Sequence, residues 1–476
     1  MHSGRRAEAH TVRLSAMLRH WPIEQRFVPL WAMPLVALVA AILGFCVSVD
    51  EWRVPAILMV AAGVLLCAVL ATDTFLAIVL VFAVVLQPPV ANIGGIPELE
   101  FAELLVPILL LVLALRVVGR PRVLTKSAPT AARAITVAVG LYALVIALNY
   151  LRSRYLLGTV FPGTRRTFYD YFIALGAYLI FYALLTSRSI DWPRLMRFLY
   201  RLSLVVSTIG VGAVILRLPL SLGDLRYSTY SYQSGAVRVG FLETFGIIGV
   251  ALVFTRKTRY RPIAGLIYLS ALFLSGGRAA FFGTVIAVTL YLFVTQRSWQ
   301  VIAIGSFVAT LAIAVPSIQK NAQVNRLAQV NSGELANDKR SYLYAESLRA
   351  FTNDPLIGTG VGVHTPVSYF EPKVNAYYEA QLSVGTHATY AALLKNFGLL
   401  GFLPFTFAML VALGRLILRV RVDPRAAFFL VFITAEAVSI FASGNGSDPT
   451  YFFALAGASA VIALPRLNGS SAKTFG

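Results

Sequence analysis

Apolar runs long enough to cross a bilayer alternate with short polar segments along nearly the whole chain. They fall at roughly 30–49, 54–71, 74–89, 101–118, 133–150, 168–186, 197–216, 238–254, 261–275, 279–295, 301–317, 397–415, 425–442 and 449–465, near the length a spanning helix needs. The runs are continuously apolar, whereas barrel strands would alternate. Lipid offers backbone amides no partner, so each run must close its hydrogen bonds within itself. The pattern predicts an all-α fold, a polytopic integral membrane helical bundle of about 12–14 transmembrane helices. One long polar stretch, about 318 to 386, interrupts it as a single large loop. The expected organisation is a cytoplasmic N-terminal tail over 1–29, a transmembrane helical region over 30–317, a loop domain over 318–386, C-terminal transmembrane helices over 387–465 and a cytoplasmic tail over 466–476.

Inside the large loop, "DKRSYLYAESLRAF" reads as a helix with Asp338 as its cap. "NDPLIGTGVG" then breaks it with Pro355, Gly358, Gly360 and Gly362. These glycines lack the preceding strand and spacing of a dinucleotide fingerprint, so a turn or a close backbone approach is the better reading. The loop is too small for a large independent domain and is expected to pack over the bundle as a lid or wall.

Composition agrees with the pattern. The chain is 58% hydrophobic and only 13% charged, far from the roughly one-quarter charged typical of soluble domains. The net charge of +20 does not point to nucleic acid, because most of the surplus lies between apolar runs, where it sets orientation. "RVVGRPRVLTKSAPTAAR" (116–133), "TRKTRYRP" (255–262), "TQRSW" and "RLILRVRVDPR" (415–425) all fall on one side by alternation, the cytoplasmic side by the positive-inside rule. The leader over 1–29 is polar and arginine-rich, without a signal peptide's apolar core or cleavage site. Cys46 and Cys67 lie within apolar runs as buried thiols. There is no H-E-x-x-H, C-x-x-C or Walker loop. Glu98, Glu100 and Glu103 in "ELEFAE" could bind a cation, but such a helix start is more often solvated. Metal chemistry is not indicated.

A few charges break the topology rule. The outer segment "YLRSRYLLGTVFPGTRR" (150–166) carries Arg152, Arg154, Arg165 and Arg166 with no acid, and Arg238 and Arg278 also stand on the outer side. They either pair with lipid phosphates or form an anion site for a phosphorylated, membrane-bound substrate. The planar guanidinium suits the second role by binding phosphate bidentately. His387 stands where "GTHATYAALLKNFGLLG" passes from polar to apolar, and either caps a helix or does chemistry there. His364, in the glycine-rich turn, is read as structural. Tyr342, Tyr344, Tyr377 and Tyr378 either stack on sugars or anchor at the interface.

"RAFTNDPLIGTGVGV" followed by "THATYAALLKNFGLLG" resembles the signature of the O-antigen ligase and O-antigen polymerase superfamily. His387, Tyr390, Leu394, Gly398 and Gly401 fall in its register; Ala388 and Asn396 stand where the family often has Asn and Glu. "LSGGRAAFFG" resembles the family's S-x-S-R-G segment with Arg278 in the arginine position, and Arg340 begins the loop helix, where the family also tends to carry arginine. The resemblance covers roughly the last half of the chain and the overall topology. It implies a GT-C-like membrane glycosyltransferase with one large periplasmic loop, in the bacterial inner membrane, with both termini cytoplasmic and the active site facing the periplasm. The implied reaction belongs to lipopolysaccharide biosynthesis: metal-independent transfer, without cofactor, of O-antigen polysaccharide from undecaprenyl diphosphate to a sugar hydroxyl of the lipid A-core oligosaccharide. The roles that go with it are His387 as general base, Arg278, Arg340 and Arg238 as diphosphate ligands with Arg165 and Arg166 beside them, and Tyr390, Asn396, Tyr377 and Tyr378 at acceptor or sugar. Membrane lipids are the remaining partner. A polymerase or a protein O-oligosaccharyltransferase would use the same donor. A transporter or flippase of lipid-linked glycan predicts charges within spans and internal repeats; Glu243 and Glu436 lie in or near spans, but no repeat is evident.

Overall fold

The computed structural model describes residues 72–86, 101–119, 129–156, 162–187, 189–215, 230–231, 236–237, 240–255, 261–275, 277–295, 339–360, 365–371, 376–382 and 388–465. The chain divides into two units, Met1–Ala71 and Thr72–Gly476, and every described residue belongs to the second. The spans expected at 30–49, 54–71 and 301–317 lie outside the described residues.

Twelve α-helices are described: α1 Asp73–Leu86, α2 Phe101–Gly119, α3 Thr130–Leu151, α4 Pro162–Thr186, α5 Trp192–Ile215, α6 Gly240–Thr255, α7 Arg261–Leu274, α8 Arg278–Val294, α9 Lys339–Asn353, α10 Thr389–Arg419, α11 Pro424–Ala442 and α12 Pro449–Ala463. A π-helical turn, Arg152–Leu156, follows α3. Eleven of the twelve follow the apolar runs, and α9 is the helix expected in the loop, beginning one residue after Asp338. Two antiparallel hairpins lie in connections: β1 Tyr230–Ser231 with β2 Ala236–Val237, and β3 Thr365–Glu371 with β4 Ala376–Leu382.

Burial separates two kinds of helix. α12 is buried on every face from Pro449 to Ile462, and α11 is buried almost throughout. A helix apolar all round has no solvent face, so these two form the centre. α11 packs on α6, α8, α10 and α12, while α12 packs on α3, α4, α10 and α11. Aromatic rings fill the seam: Phe453 lies 4.3 Å from Phe181 and 5.7 Å from Phe432, Tyr451 5.0 Å from Phe405, and Phe405 5.4 Å from Tyr142. At Gly283 of α8 a Cβ would stand 2.7 Å from the Ala435 carbonyl of α11, so the small residue lets the two backbones approach.

The outer helices carry the opposite signature. On α3 Val137, Leu141, Leu144, Leu148 and Leu151 are each about half exposed, and on α10 Leu400, Leu403, Phe407 and Leu410 form a similar row. The spacings of three and four residues make each set one stripe on its helix. Large apolar stripes facing outward suit lipid rather than water. Among the described residues four helical segments, 130–151, 168–186, 192–212 and 389–419, are long and apolar enough to cross a membrane by themselves, and shorter apolar helices accompany them. This is a multi-pass helical membrane protein.

The basic connections gather at one end, as the parity of the sequence requires. Pro129, Thr130, Arg415 and Arg419 line one cavity of about 260 Å³. There the arginines close helix C-termini, whose last carbonyls have no partner within the helix. Arg419 Nη1 donates to the Val461 and Leu464 carbonyls at 2.6 and 3.1 Å, Arg425 Nη2 to Pro465 at 3.0 Å, Arg421 Nε to Val294 at 2.9 Å, and Arg261 Nη2 to Phe254 at 3.2 Å. The cations therefore meet the negative ends of α12, α8 and α6. Arg425 also forms a buried two-pronged pair with Asp423, at 3.0 and 2.8 Å.

Candidate functional site

The loop glycines and the start of α10 turn out to be two halves of one structure. α10 is interrupted at Gly398, whose φ of 59° and ψ of −158° leave the helical region. The break frees backbone groups on either side of it, and the turn after α9 takes them up. The Thr359 amide donates to the Lys395 carbonyl at 2.8 Å and the Gly360 amide to Asn396 at 3.1 Å. In return the Leu399 amide donates to Pro355 at 2.9 Å and the Leu400 amide to Leu356 at 3.1 Å. Four bonds thus replace the missing helical ladder, as buried backbone groups require.

Glycine is needed on both sides of this clasp. Gly358 and Gly360 have φ of 73° and 102°, conformations that side chains with a Cβ rarely adopt. A Cβ on Gly398 would stand 2.5 Å from the Leu356 carbonyl, and one on Gly358 2.5 Å from the Asn396 carbonyl carbon. Each glycine occupies the space in which the other's side chain would lie. The turn and close-approach role expected of Gly358 and Gly360 is what they perform; Gly362 lies outside the described residues.

A third element holds the turn. Asn149 Nδ2 of α3 donates to the Ile357 carbonyl at 2.7 Å. Arg152 Nη1 donates to the Gly358 carbonyl at 2.7 Å, and Nη2 pairs with Asp354 at 2.8 Å. Of the outward arginines that broke the topology rule, Arg152 is therefore a bracket for the clasp. Asn149 and Lys395 were not singled out from sequence. Asn149 is a lone polar residue at the end of an apolar run, and Lys395 stands beside Asn396 between apolar residues, which is the signal that could have found them. Lys395 is 1% exposed.

The structure also settles Glu103, expected to be solvated at a helix start. It is buried, and its carbonyl accepts from the Tyr169 hydroxyl at 2.8 Å. The first turn of α2 is covered by α4 there, which removes its water.

The contacts bring most candidate residues to the end opposite the basic one. Gly283 near the start of α8 meets Ala435 and Ser439 near the end of α11, and the Tyr390 hydroxyl at the start of α10 lies 3.4 Å from the Ala437 carbonyl. Tyr171 in the first half of α4 packs on Phe397 at 5.4 Å. The starts of α4, α8 and α10 therefore share one end with the clasp. Arg165 and Arg166 lie in the first turn of α4, Arg278 is the first residue of α8, and Arg340 is the second residue of α9, which packs on α10. His387 stands two residues before α10 and, with Arg238 and His364, lies outside the described residues.

The four proposed sugar contacts are distributed differently. In the β3–β4 hairpin Tyr377 pairs with Phe370 and Tyr378 with Tyr369, and β3 touches α9. Tyr390 packs between Phe402 and Phe405, at 6.3 and 6.2 Å. Asn396 is 1% exposed, its main-chain carbonyl belongs to the clasp, and its side-chain amide nitrogen is buried without a hydrogen-bond partner among the described residues.

The start of α8 has an unusual neighbour. Gly277 caps α8, and a Cβ there would overlap the carboxylate of Glu243, with Oε2 2.8 Å from that position. Glu243 is buried, at 6% exposure, in the first turn of α6. Glu436 of α11 is likewise buried. Among the described residues no group of three or more His, Cys, Asp or Glu could hold a metal ion.

Residues 263–406 match the family model described as O-antigen ligase. The match runs from α7 through the first half of α10 and contains Arg278, Arg340, His387 and the whole turn and helix break. It agrees with the family that the motifs resemble. Asn149 and Arg152, which fasten the matched segment to the rest of the bundle, lie outside it. At a coarse level the match implies a membrane-embedded ligase of glycosyltransferase type. No individual curated protein matches the chain.

Proposed function

We propose that this protein is an O-antigen ligase. It moves O-antigen polysaccharide from undecaprenyl diphosphate to a sugar hydroxyl of the lipid A core, at the periplasmic face of the bacterial inner membrane. The observation that carries the reading is the shared end: the matched segment brings Arg278, the Arg340-bearing helix and the start of α10 to the same end of the bundle as Arg165 and Arg166.

The chemistry needs two things from the chain. The donor has a good leaving group once its charge is stabilised, and Arg278, Arg340 and Arg238, with Arg165 and Arg166 nearby, supply fixed positive charge for the diphosphate. The acceptor hydroxyl must lose a proton as its oxygen attacks the anomeric carbon, and neutral His387 accepts it near pH 7. The new glycosidic bond forms while the bond to the diphosphate breaks, with inversion, and undecaprenyl diphosphate leaves. Tyr377, Tyr378 and Tyr390 belong to the acceptor or sugar side, whereas Asn396, buried in the clasp, is left to the framework. Arginine charge replaces a metal, so no cofactor is required.

Purified protein, lipid-linked O-antigen and rough lipopolysaccharide test this directly. Coupled product should form in EDTA, and should vanish in His387→Ala, Arg278→Ala and Arg340→Ala, with Lys substitutions at the arginines restoring little. A wild type that does not join donor to lipid A core refutes the ligase reading, and chain growth on the donor alone assigns a polymerase instead. Undiminished transfer in His387→Ala removes the proposed base.

A further inference from the structure

We propose that Glu243 is a positioning residue that sets the start of α8, and with it the diphosphate-binding Arg278, and that Gly277 is glycine because the Glu243 carboxylate occupies the space beside it. The inference rests on the functional reading above.

Three observations meet at this point. Glu243 lies in the first turn of α6 and is 6% exposed, so its carboxylate has left bulk water inside an apolar bundle. A buried carboxylate is costly unless its surroundings supply compensating positive potential. The carboxylate lies against Gly277, the cap of α8, and a Cβ at that position would overlap it, Oε2 being 2.8 Å away. One carboxylate therefore serves the positive ends of two helices, α6 and α8. The turn itself is cinched: the Gly277 amide donates to Ser275 Oγ at 3.2 Å, and that hydroxyl donates to the Leu272 carbonyl at 2.7 Å. Glu243 is thus fixed against the residue before Arg278, and Arg238 is five positions before it in the chain.

The placement has a functional consequence. A guanidinium that stabilises a leaving diphosphate must be held where charge develops, and small displacements are expensive in rate. Arg278 is the first residue of α8, where a helix frays most easily unless its cap is fixed. The cap here lacks a side-chain hydrogen bond of its own, Gly277 having none to give. The carboxylate from α6 lies against that cap and links the position of Arg278 to the α6 start.

The test uses the full-length protein in the coupled assay, with donor and acceptor KM measured separately. Glu243→Gln keeps the shape and removes the charge. It should raise donor KM or lower kcat by about 100-fold in total, while acceptor KM stays within about twofold. Gly277→Ala should give the same donor-specific defect by displacing the carboxylate. In a Glu243→Ala background, where the space is free, Gly277→Ala should add nothing, whereas two independent structural defects would add. Additive effects, equal shifts in both KM values, or wild-type kinetics in Glu243→Gln and Gly277→Ala would overturn the proposal. Arg278→Ala separates the two levels: if it is inactive while Glu243→Ala behaves as wild type, only this inference fails. Wild-type rates in Arg278→Ala would overturn the diphosphate role and this inference with it.

Discussion

The clasp makes a prediction that can be worked from its geometry. In Gly398→Ala the new methyl group would stand 2.5 Å from both the carbonyl carbon and oxygen of Leu356, and 2.7 Å from the Gly358 amide nitrogen. All three are backbone atoms, so no side-chain rotation relieves the overlap. The native φ and ψ of 59° and −158° lie in a region that only glycine visits freely, adding strain of about 1–3 kcal/mol. The turn must therefore leave the helix break. Four inter-segment backbone bonds go with it, at about 0.5–1.5 kcal/mol each, so about 2–6 kcal/mol of local stability is lost. Since ~1.4 kcal/mol is a factor of ten, amide exchange at Thr359, Gly360, Leu399 and Leu400 should accelerate roughly 30-fold to 10⁴-fold in hydrogen–deuterium exchange. Gly414→Ala is the matched control. It lies in the same helix with nothing within 4 Å of the added Cβ, and should exchange as wild type or slightly more slowly. Native protection at Leu399 and Leu400 in Gly398→Ala would refute the claim that the two glycines exclude each other's side chains.

Other elements give shorter tests. Arg152→Ala removes the ion pair to Asp354 and the bond to Gly358, so limited proteolysis should cut within 354–360 faster, for a local loss of about 1.5–3 kcal/mol; Asp354→Asn should do so more weakly. Arg425→Ala strands the buried Asp423 carboxylate and should cost about 3–5 kcal/mol in detergent thermal unfolding, while Asp423→Ala/Arg425→Ala should cost less than the sum of the single changes. Leu144→Asp places a charge on the outward stripe of α3 and should lower membrane insertion by about 2.5–3.5 kcal/mol, whereas Leu144→Phe should insert normally.

The helical framework was readable because the membrane imposes it. A continuous apolar run has one backbone solution, and the described helices accordingly follow the predicted runs within a few residues for most of them. Same-sidedness of the basic connections was readable for the same reason. The most instructive difference is α10, expected from 397 and observed from Thr389 with a break at Gly398. The apolar pattern marks where the helix becomes lipid-facing, at Leu400 and beyond, and cannot register the shorter stub that is buried under the turn. Asn149, Arg152 and Asp354 escaped notice as a group because their partners are about 200 positions apart and two of the acceptors are main-chain carbonyls, which no residue pattern encodes. Glu243 was visible only as a charge near a span; that its carboxylate fills the place of a missing Cβ on Gly277 is a fact of packing.

The motif that carried the resemblance can now be divided by what its parts do. "PLIGTG" and "KNFGLLG" look loose in sequence, since they are a proline and a few glycines set among otherwise unpatterned residues. In the structure they are tight, because four main-chain bonds join them, the Thr359 hydroxyl adds a donation to the Lys395 carbonyl at 3.1 Å, and the glycines are constrained by sterics. The glycines therefore belong to a framework, while the histidine and arginines beside them are free to be chosen for chemistry. That framework joins the α9 side of the large loop to the first turns of α10, and Arg152 ties both to α3. The proposed general base, His387, stands two residues before α10 in the chain; on that reading, loosening the clasp should lower turnover even with His387 intact. Gly398→Ala should consequently lose activity in proportion to its loss of protection at Leu399 and Leu400, whereas His387→Ala should lose activity with that protection unchanged. If His387→Ala instead released the clasp, the histidine would be part of the framework, and the division between scaffold and chemistry would not hold.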